Sequence, residues 1–332
     1  MIQKIWKKYS WYTIFLLIIS LFYLLICTIR KYCYKIGLFH TWKASIPIVI
    51  VGNITVGGTG KTPVVIWLVQ KLLSYGYNVG VVSYGYKSKS KKYPLIITEK
   101  LSIKESGDEA ALIYKNTGVP IAIAPKRICA VKILLKYNKL DIIIADDGLQ
   151  HYALERDYEI VVIDGINRFG NGLLLPAGPL RETQNRLKLV NIIINNSGVN
   201  KNNEIHMQLT GNIAINMVTG KKKIINIFNN VVAIAGIGNP KSFFLNLKNN
   251  GVKIVNTYIF PDHHNYTLYQ LNKLINKNQI LLMTEKDAVK CFHFAQDNWW
   301  YLPVTATFSK HDTKNIIHSI IQLIKKNKKI TN

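Results

Sequence analysis

Residues 46–63 read IPIVIVGNITVGGTGKTP: an apolar run, a glycine-rich turn, and a closing Gly60-Lys61-Thr62. The run 46–51 is continuously apolar rather than alternating, the pattern of a strand buried on both faces in a parallel sheet covered by helices. Gly57, Gly58 and Gly60 give the turn its freedom, and a helix is predicted over 61–75. Strand, flexible turn and helix N-terminus together let backbone N–H groups wrap an anion, and the helix dipole adds positive partial charge. Lys61 is placed to reach the β- and γ-phosphates of a nucleotide, and the Thr62 hydroxyl to ligate magnesium. Thr55 stands where the common form of the motif has its first Gly. The stretch therefore reads as a nucleotide site with a variant loop.

Outward from this unit, strand and helix alternate. Strands are predicted over 78–83, 119–124, 141–146, 158–164 and 191–196, with helices over 107–117 and 126–137. The expected fold is α/β: a P-loop NTPase-like parallel sheet domain over residues 36–203. Two alternating segments around Gly220 then predict a two-stranded linker over 204–228. A second, smaller Rossmann-like α/β domain is expected over 229–332, opening on VVAIAGIGNP and closing with an amphipathic helix around 314–325.

The N-terminal 1–35 is different in kind. Residues 11–29, WYTIFLLIISLFYLLICTI, carry no charge. At the helical rise they cover about 28 Å, close to the hydrocarbon thickness of a bilayer. Trp6, Tyr9, Trp11, Tyr12 and Tyr32 flank the run as an interfacial belt would. Lys4, Lys7 and Lys8 precede it and Arg30, Lys31 and Lys35 follow, so charge does not orient it. A membrane-anchoring helix is the expectation. The net charge of +25 comes almost wholly from Lys; it suits a solvated surface or anionic lipid. No nucleic-acid module accompanies it, and no nucleic acid or obligate protein partner is expected. Cys27, Cys33, Cys129 and Cys291 lack C-x-x-C spacing and His partners, which suggests neither a zinc site nor a disulfide framework and fits a reducing compartment.

Four further constellations carry chemistry. The predicted strand in DIIIADDGLQH delivers Asp146 and Asp147 at its C-terminal end, where one carboxylate can hold magnesium, although adjacent acids before Gly also cap turns. In SGDEAAL, Asp108 and Glu109 open a helix; they either complement its dipole or face the γ-phosphate as base or metal-site residue. In FPDHHNYT, His263 and His264 are adjacent and poorly spaced to share a metal, but one imidazole can assist removal of a hydroxyl proton. Five of the six Arg fall between residues 127 and 186, two of them in RFGNGLLLPAGPLRE. In a Lys-using chain that concentration suits bidentate anion contacts.

Taken in order, GNITVGGTGKTP, SGDE, DDGLQH, GNGLLLPAGPLRE, AGIGNP, FPDHH and TEKDAVK resemble the tetraacyldisaccharide 4′-kinase family, over nearly the whole chain. A Ser or Thr followed by Val-Gly-Gly is that family's own form of the loop, which accounts for Thr55. The resemblance implies ATP-dependent phosphorylation of the 4′-hydroxyl of a tetraacylated glucosamine disaccharide 1-phosphate at the cytoplasmic face of the inner membrane. It implies ATP held by Thr55, Val56, Gly57, Gly58, Thr59, Gly60, Lys61 and Thr62. Magnesium is implied at Thr62 and Asp146, helped by Glu109 or Asp147. Asp108 is implied as the base on the sugar hydroxyl with His263 paired to it, while Arg127, His151, Arg181 and Glu182 line the substrate or transition state. The chain departs from the family at Tyr84, where an Arg is usual, at Lys87 for Gly, at Leu173 for a common Arg and at Asn191 for a frequent Asp. The competing expectation is a membrane-tethered regulatory ATPase of the partition type; those carry a Lys where this chain has Val56.

Overall fold

A computed structural model describes residues 6, 11–99, 101–201, 203–276 and 278–331. Lys4, Lys7, Lys8 and Tyr9, read above as part of the flank of the apolar segment, lie outside the described residues.

The N-terminal segment forms helix α1 (Trp11–Lys35). The first α/β unit contains β1 (Ile48–Gly52), α2 (Lys61–Ser74), β2 (Val79–Ser83), β3 (Leu95–Ile96), α3 (Asp108–Thr117), β4 (Ile121–Ile123), α4 (Arg127–Tyr137), β5 (Ile142–Asp146), β6 (Tyr158–Asp164), β7 (Ile192–Asn196) and β8 (Glu204–Thr210). A hairpin, β9 (Ile213–Asn216) and β10 (Lys222–Ile224), leads to β11 (Val231–Ala235), α5 (Pro240–Asn249), β12 (Ile254–Ile259), β13 (Ile280–Thr284) and α6 (Glu285–Val289). The chain ends with β14 (Trp299–Leu302), β15 (Thr305–Thr307) and α7 (Lys310–Thr331).

Among the described residues, nine strands form one sheet in the order β15-β8-β7-β6-β1-β5-β2-β4-β3, and six form another in the order β10-β9-β14-β13-β11-β12. The first is parallel except for its edge strands β3 and β15. Period-two geometry explains why its strands are apolar throughout. Val49 and Val51 of β1 face α2, α3 and α7, whereas Ile48 and Ile50 face α4 and the 149–154 and 180 loops. β1 lies between β5 and β6, with Val51 opposite Asp146. The glycine turn and the Asp146-Asp147 turn therefore emerge side by side at the C-terminal edge, where ligands of open α/β sheets bind.

Two boundaries differ from those expected. The 204–228 stretch does not stand as a separate linker: β8 extends the first sheet, and β9–β10 extend the second through β14. The closing helix, expected with the second unit, packs on the first: Ile316, Ile317, Ile320 and Ile324 of α7 are buried against α2 and the β1 face. Periodicity marked its apolar stripe correctly but carries no information about which sheet the stripe covers.

Helix α1 is long and apolar enough to cross a membrane, and only 11% of its most apolar window is buried. Ser20 and Tyr23 on this helix face inward. The Ser20 hydroxyl donates to the Leu174 carbonyl at 3.0 Å and accepts from the Ala177 N–H at 3.1 Å, and the Tyr23 hydroxyl donates to the Arg181 carbonyl at 3.0 Å. Ile14, Phe15, Ile18, Phe22, Leu25 and Ile26 face outward.

Candidate active site

The glycine turn is shaped by steric demands that only glycine meets. Gly57 and Gly60 have φ of +119° and +95°, the left-handed side of the map. A Cβ on Gly60 would also lie 2.7 Å from Asn196 Nδ2, which donates to the Thr59 carbonyl at 3.0 Å. The turn is propped from outside by the 179–181 segment, where the Val56 N–H donates to the Pro179 carbonyl and the Arg181 N–H to the Ile54 carbonyl. Thr55 thus sits in a short two-stranded bridge with Leu180, a position that requires no glycine.

Beside this cradle, Asp146 is 1% exposed and neither carboxylate oxygen has a hydrogen-bond partner. Burial, with the charge of Glu109 added, pushes its carboxyl up to about 7 against the pull of Lys61. A fully buried acid with both oxygens free is costly unless a cation joins it. The site thus fits a magnesium ion that takes one or two protein carboxylates and completes its shell with nucleotide phosphates and water. Among the described residues no group of three or more His, Cys, Asp and Glu forms a closed metal cage, as that mode of binding requires none. Asp147 behaves differently. It adopts φ +49°, and Arg181 Nη1 approaches its two oxygens at 3.1 and 3.2 Å while Lys61 Nζ lies 3.7 Å away. Burial works against its charge, but Lys61 and Arg181 outweigh it and hold the carboxyl below the usual range. Thr62 is the second residue of α2, at the turn's exit.

The second sheet contributes from across the cleft. Its loop after β11 brings Gly238 against the glycine turn, so closely that a Cβ on Gly238 would lie 2.4 Å from the Gly58 nitrogen. The loop after β12 delivers His263, whose Nδ1 lies 3.1 Å from Asp108 Oδ2 at the N-terminus of α3. Burial pushes the Asp108 carboxyl up, but the His263 hydrogen bond and the charges of Lys290 and Lys286 together hold it below its ordinary value. Lys290 Nζ is 3.9 Å from Asp108 Oδ2 and is tethered by the fully buried Asp287 at 2.9 Å. Glu109 is held at 3.3 Å by Lys286. His264 instead pairs with Gln270 at 3.0 Å, separating the roles of the two adjacent imidazoles.

Two expected substrate contacts face inward instead. Arg127 is 3% exposed; its guanidinium donates to the carbonyls of Ala124, Asp146 and Asp147 and lies 5.4 Å from the centre of the Tyr84 ring. It braces the acidic turn. Glu182 accepts from the Gln150 amide at 2.9 Å and from the Tyr152 hydroxyl, and lies 3.5 Å from Arg186 Nε. Residue type revealed both as anion-competent or acidic, but the partner that occupies a side chain is invisible in sequence. His151 has a buried Nε2 without a partner, and burial, Arg127, Arg156 and Arg30 push its imidazole down to about 4. Arg181 contacts Asp147 beside the cradle. Sequence reading missed Asn196, Gly238, Lys286 and Lys290. The TEKDAVK stretch was a usable signal, since it follows a buried strand as DDGLQH does.

A family model described as Tetraacyldisaccharide-1-P 4'-kinase matches residues 12–322. The chain is 53% identical over 320 residues to the Tetraacyldisaccharide 4'-kinase of Hamiltonella defensa subsp. Acyrthosiphon pisum (strain 5AT), covering 96% of this chain and 98% of that one. A crystal structure of LpxK from Aquifex aeolicus in complex with ATP superposes with a TM-score of 0.76 at 27% identity, covering 93% of this chain and 98% of that chain.

Proposed function

The chain belongs to the tetraacyldisaccharide 4′-kinase family, and from that premise we propose how its geometry carries the reaction. The protein is a kinase: it moves the γ-phosphoryl group of ATP to the 4′-hydroxyl of tetraacyldisaccharide 1-phosphate, giving the 1,4′-bisphosphorylated lipid of lipid A biosynthesis. The regulatory-ATPase reading is not carried forward, since both the family match and the curated relative are kinases of a lipid disaccharide.

The observation that carries the assignment of roles is the Asp108–His263 pair, 3.1 Å apart and built from both sheets. Residues 55–62 cradle the triphosphate with N–H groups and the α2 N-terminus, and Lys61 offsets charge on the transferred group. Magnesium bound with ATP supplies charge neutralisation between the phosphates, and Thr62 and Asp146, with Glu109 beside them, would hold it. Arg181 and Lys61 keep Asp147 ionised beside the glycine turn. The Asp108 carboxylate takes the 4′-hydroxyl proton as the oxygen attacks phosphorus and ADP leaves with the bridging pair of electrons. Arg127 and Glu182 act by bracing the turns on which these groups stand.

The acceptor carries acyl chains, and α1 places an outward apolar face beside the same loop that props the cradle. The enzyme works at the cytoplasmic face of the inner membrane, where anchoring turns a search in volume into one in a surface. The test is purified full-length chain in detergent micelles with Mg-ATP and tetraacyldisaccharide 1-phosphate. A product heavier by one phosphate at the 4′ position is expected, and its absence would end the reading.

A further inference from the structure

Lys286 stands at the start of α6, immediately past the end of β13. Its Nζ lies 3.2 Å from Asp262 Oδ1, 3.3 Å from Glu109 Oε1 and 3.3 Å from His263 Nε2. An ammonium has three N–H donors and no lone pair, and three acceptors face it. Opposite a group that can only donate, Nε2 has to present its lone pair. The ring proton then resides on Nδ1, the nitrogen 3.1 Å from Asp108 Oδ2.

We propose that Lys286 is a positioning residue that sets the tautomer of His263, so that Nδ1–H is donated to Asp108 and the carboxylate is held in one orientation toward the acceptor hydroxyl. Nζ is flanked by two carboxylates, Asp262 at 3.2 Å and Glu109 at 3.3 Å, so the group that faces Nε2 is a donor. The same ammonium also secures the turn that aims the ring. His263 adopts φ +60°, uncommon for a residue with a Cβ, and its backbone N–H is held by the Asp262 Oδ1 atom that Lys286 also contacts. Tyr86 packs against the ring at 4.9 Å between centroids and limits its rotation. Asp262 Oδ2 also faces Nε2, but at 3.8 Å it lies beyond hydrogen-bond reach, so the ammonium at 3.3 Å is the partner of that nitrogen. His263 therefore orients Asp108 rather than passing its proton onward.

The role given to Asp108 rests on the kinase reading; the tautomer does not. Full-length chain with ¹⁵N-labelled imidazoles, in detergent micelles at neutral pH, shows the tautomer directly in two-bond ¹H–¹⁵N correlations, with His263 assigned by its loss in His263→Asn. The wild type is expected to show a protonated Nδ1 and a pyridine-type Nε2. Lys286→Met is expected to mix or reverse that pattern and to lower kcat about ten- to a hundredfold, the range for groups that orient a catalytic side chain, with KM for ATP unchanged. Lys286→Arg, which keeps a donor, restores the Nδ1–H pattern and part of kcat. A wild-type spectrum with the proton on Nε2, or a Lys286→Met spectrum identical to wild type, overturns the proposal; the first does not depend on Lys286→Met folding. The expected spectrum from a chain that makes no phosphorylated lipid overturns the kinase reading instead and leaves the tautomer assignment standing.

Discussion

Asp146 carries a conflict between stability and chemistry within one side chain. Both its oxygens are buried and unpartnered, and Glu109 adds repulsion. Asp146→Asn is expected to raise the melting temperature of the nucleotide-free protein while lowering kcat at least about 10²-fold; a variant destabilised in the same melts would contradict the orphaned geometry. Asp108→Ala is expected to lose at least about 10²-fold in kcat, the low end for acid–base catalysis, with ATP affinity retained in equilibrium binding. Wild-type turnover would remove the base from Asp108. His151 supplies the pH dependence. Its folded imidazole titrates at about 4, below the unfolded value of about 6.5. Between these limits the unfolded chain binds the extra proton, so stability is fully present above about 6.5 and is lost as pH falls toward 4. In His151→Gln that part of the acid loss disappears, so urea midpoints plotted against pH should fall less steeply across that window than those of the wild type.

At the scale of elements, the sequence made the strands and helices of both units legible because continuous apolar runs and 3.6-residue stripes report which residues are buried. They do not report against what. The α7 stripe is the clear case: Ile320 is fully buried, yet its partners lie in the first sheet's core, far back along the chain. Ile320→Ala is expected to cost about 2–5 kcal/mol in denaturant unfolding, and the loss should appear in the unit that holds the nucleotide turn. A variant whose nucleotide-binding unit melts as in wild type would place α7 elsewhere. Edge strands β3 and β15, with two and three residues, were not expected at all; pieces that short have no readable period. The candidate site was legible where motifs put charged residues at helix starts, as with Lys61 and Asp108, or at and after strand ends, as with Asp146 and His263. It was illegible where function depends on a partner, as with Arg127, whose guanidinium is enclosed by carbonyls.

For the whole molecule, the decisive fact is that one site is assembled from two sheets. Gly58 and Gly238 meet backbone to backbone, and the Asp108–His263 and Glu109–Lys286 contacts cross the same cleft. Gly238→Ala would thrust a methyl against the Gly58 nitrogen and force the sheets to shift. A displacement near 1 Å at a reacting group costs up to about 10²-fold, so kcat is expected to fall between about ten- and a hundredfold. Steady-state kinetics in micelles measure it, and an unaffected kcat would show that the close approach is dispensable.

Ser20 and Tyr23 stitch α1 to the 174–181 loop, and that loop is bonded to the glycine turn. The apolar helix and the glycine turn are therefore coupled through two side-chain hydroxyls and one strip of backbone, so a shift of either is transmitted to the other without passing through the core of the sheet.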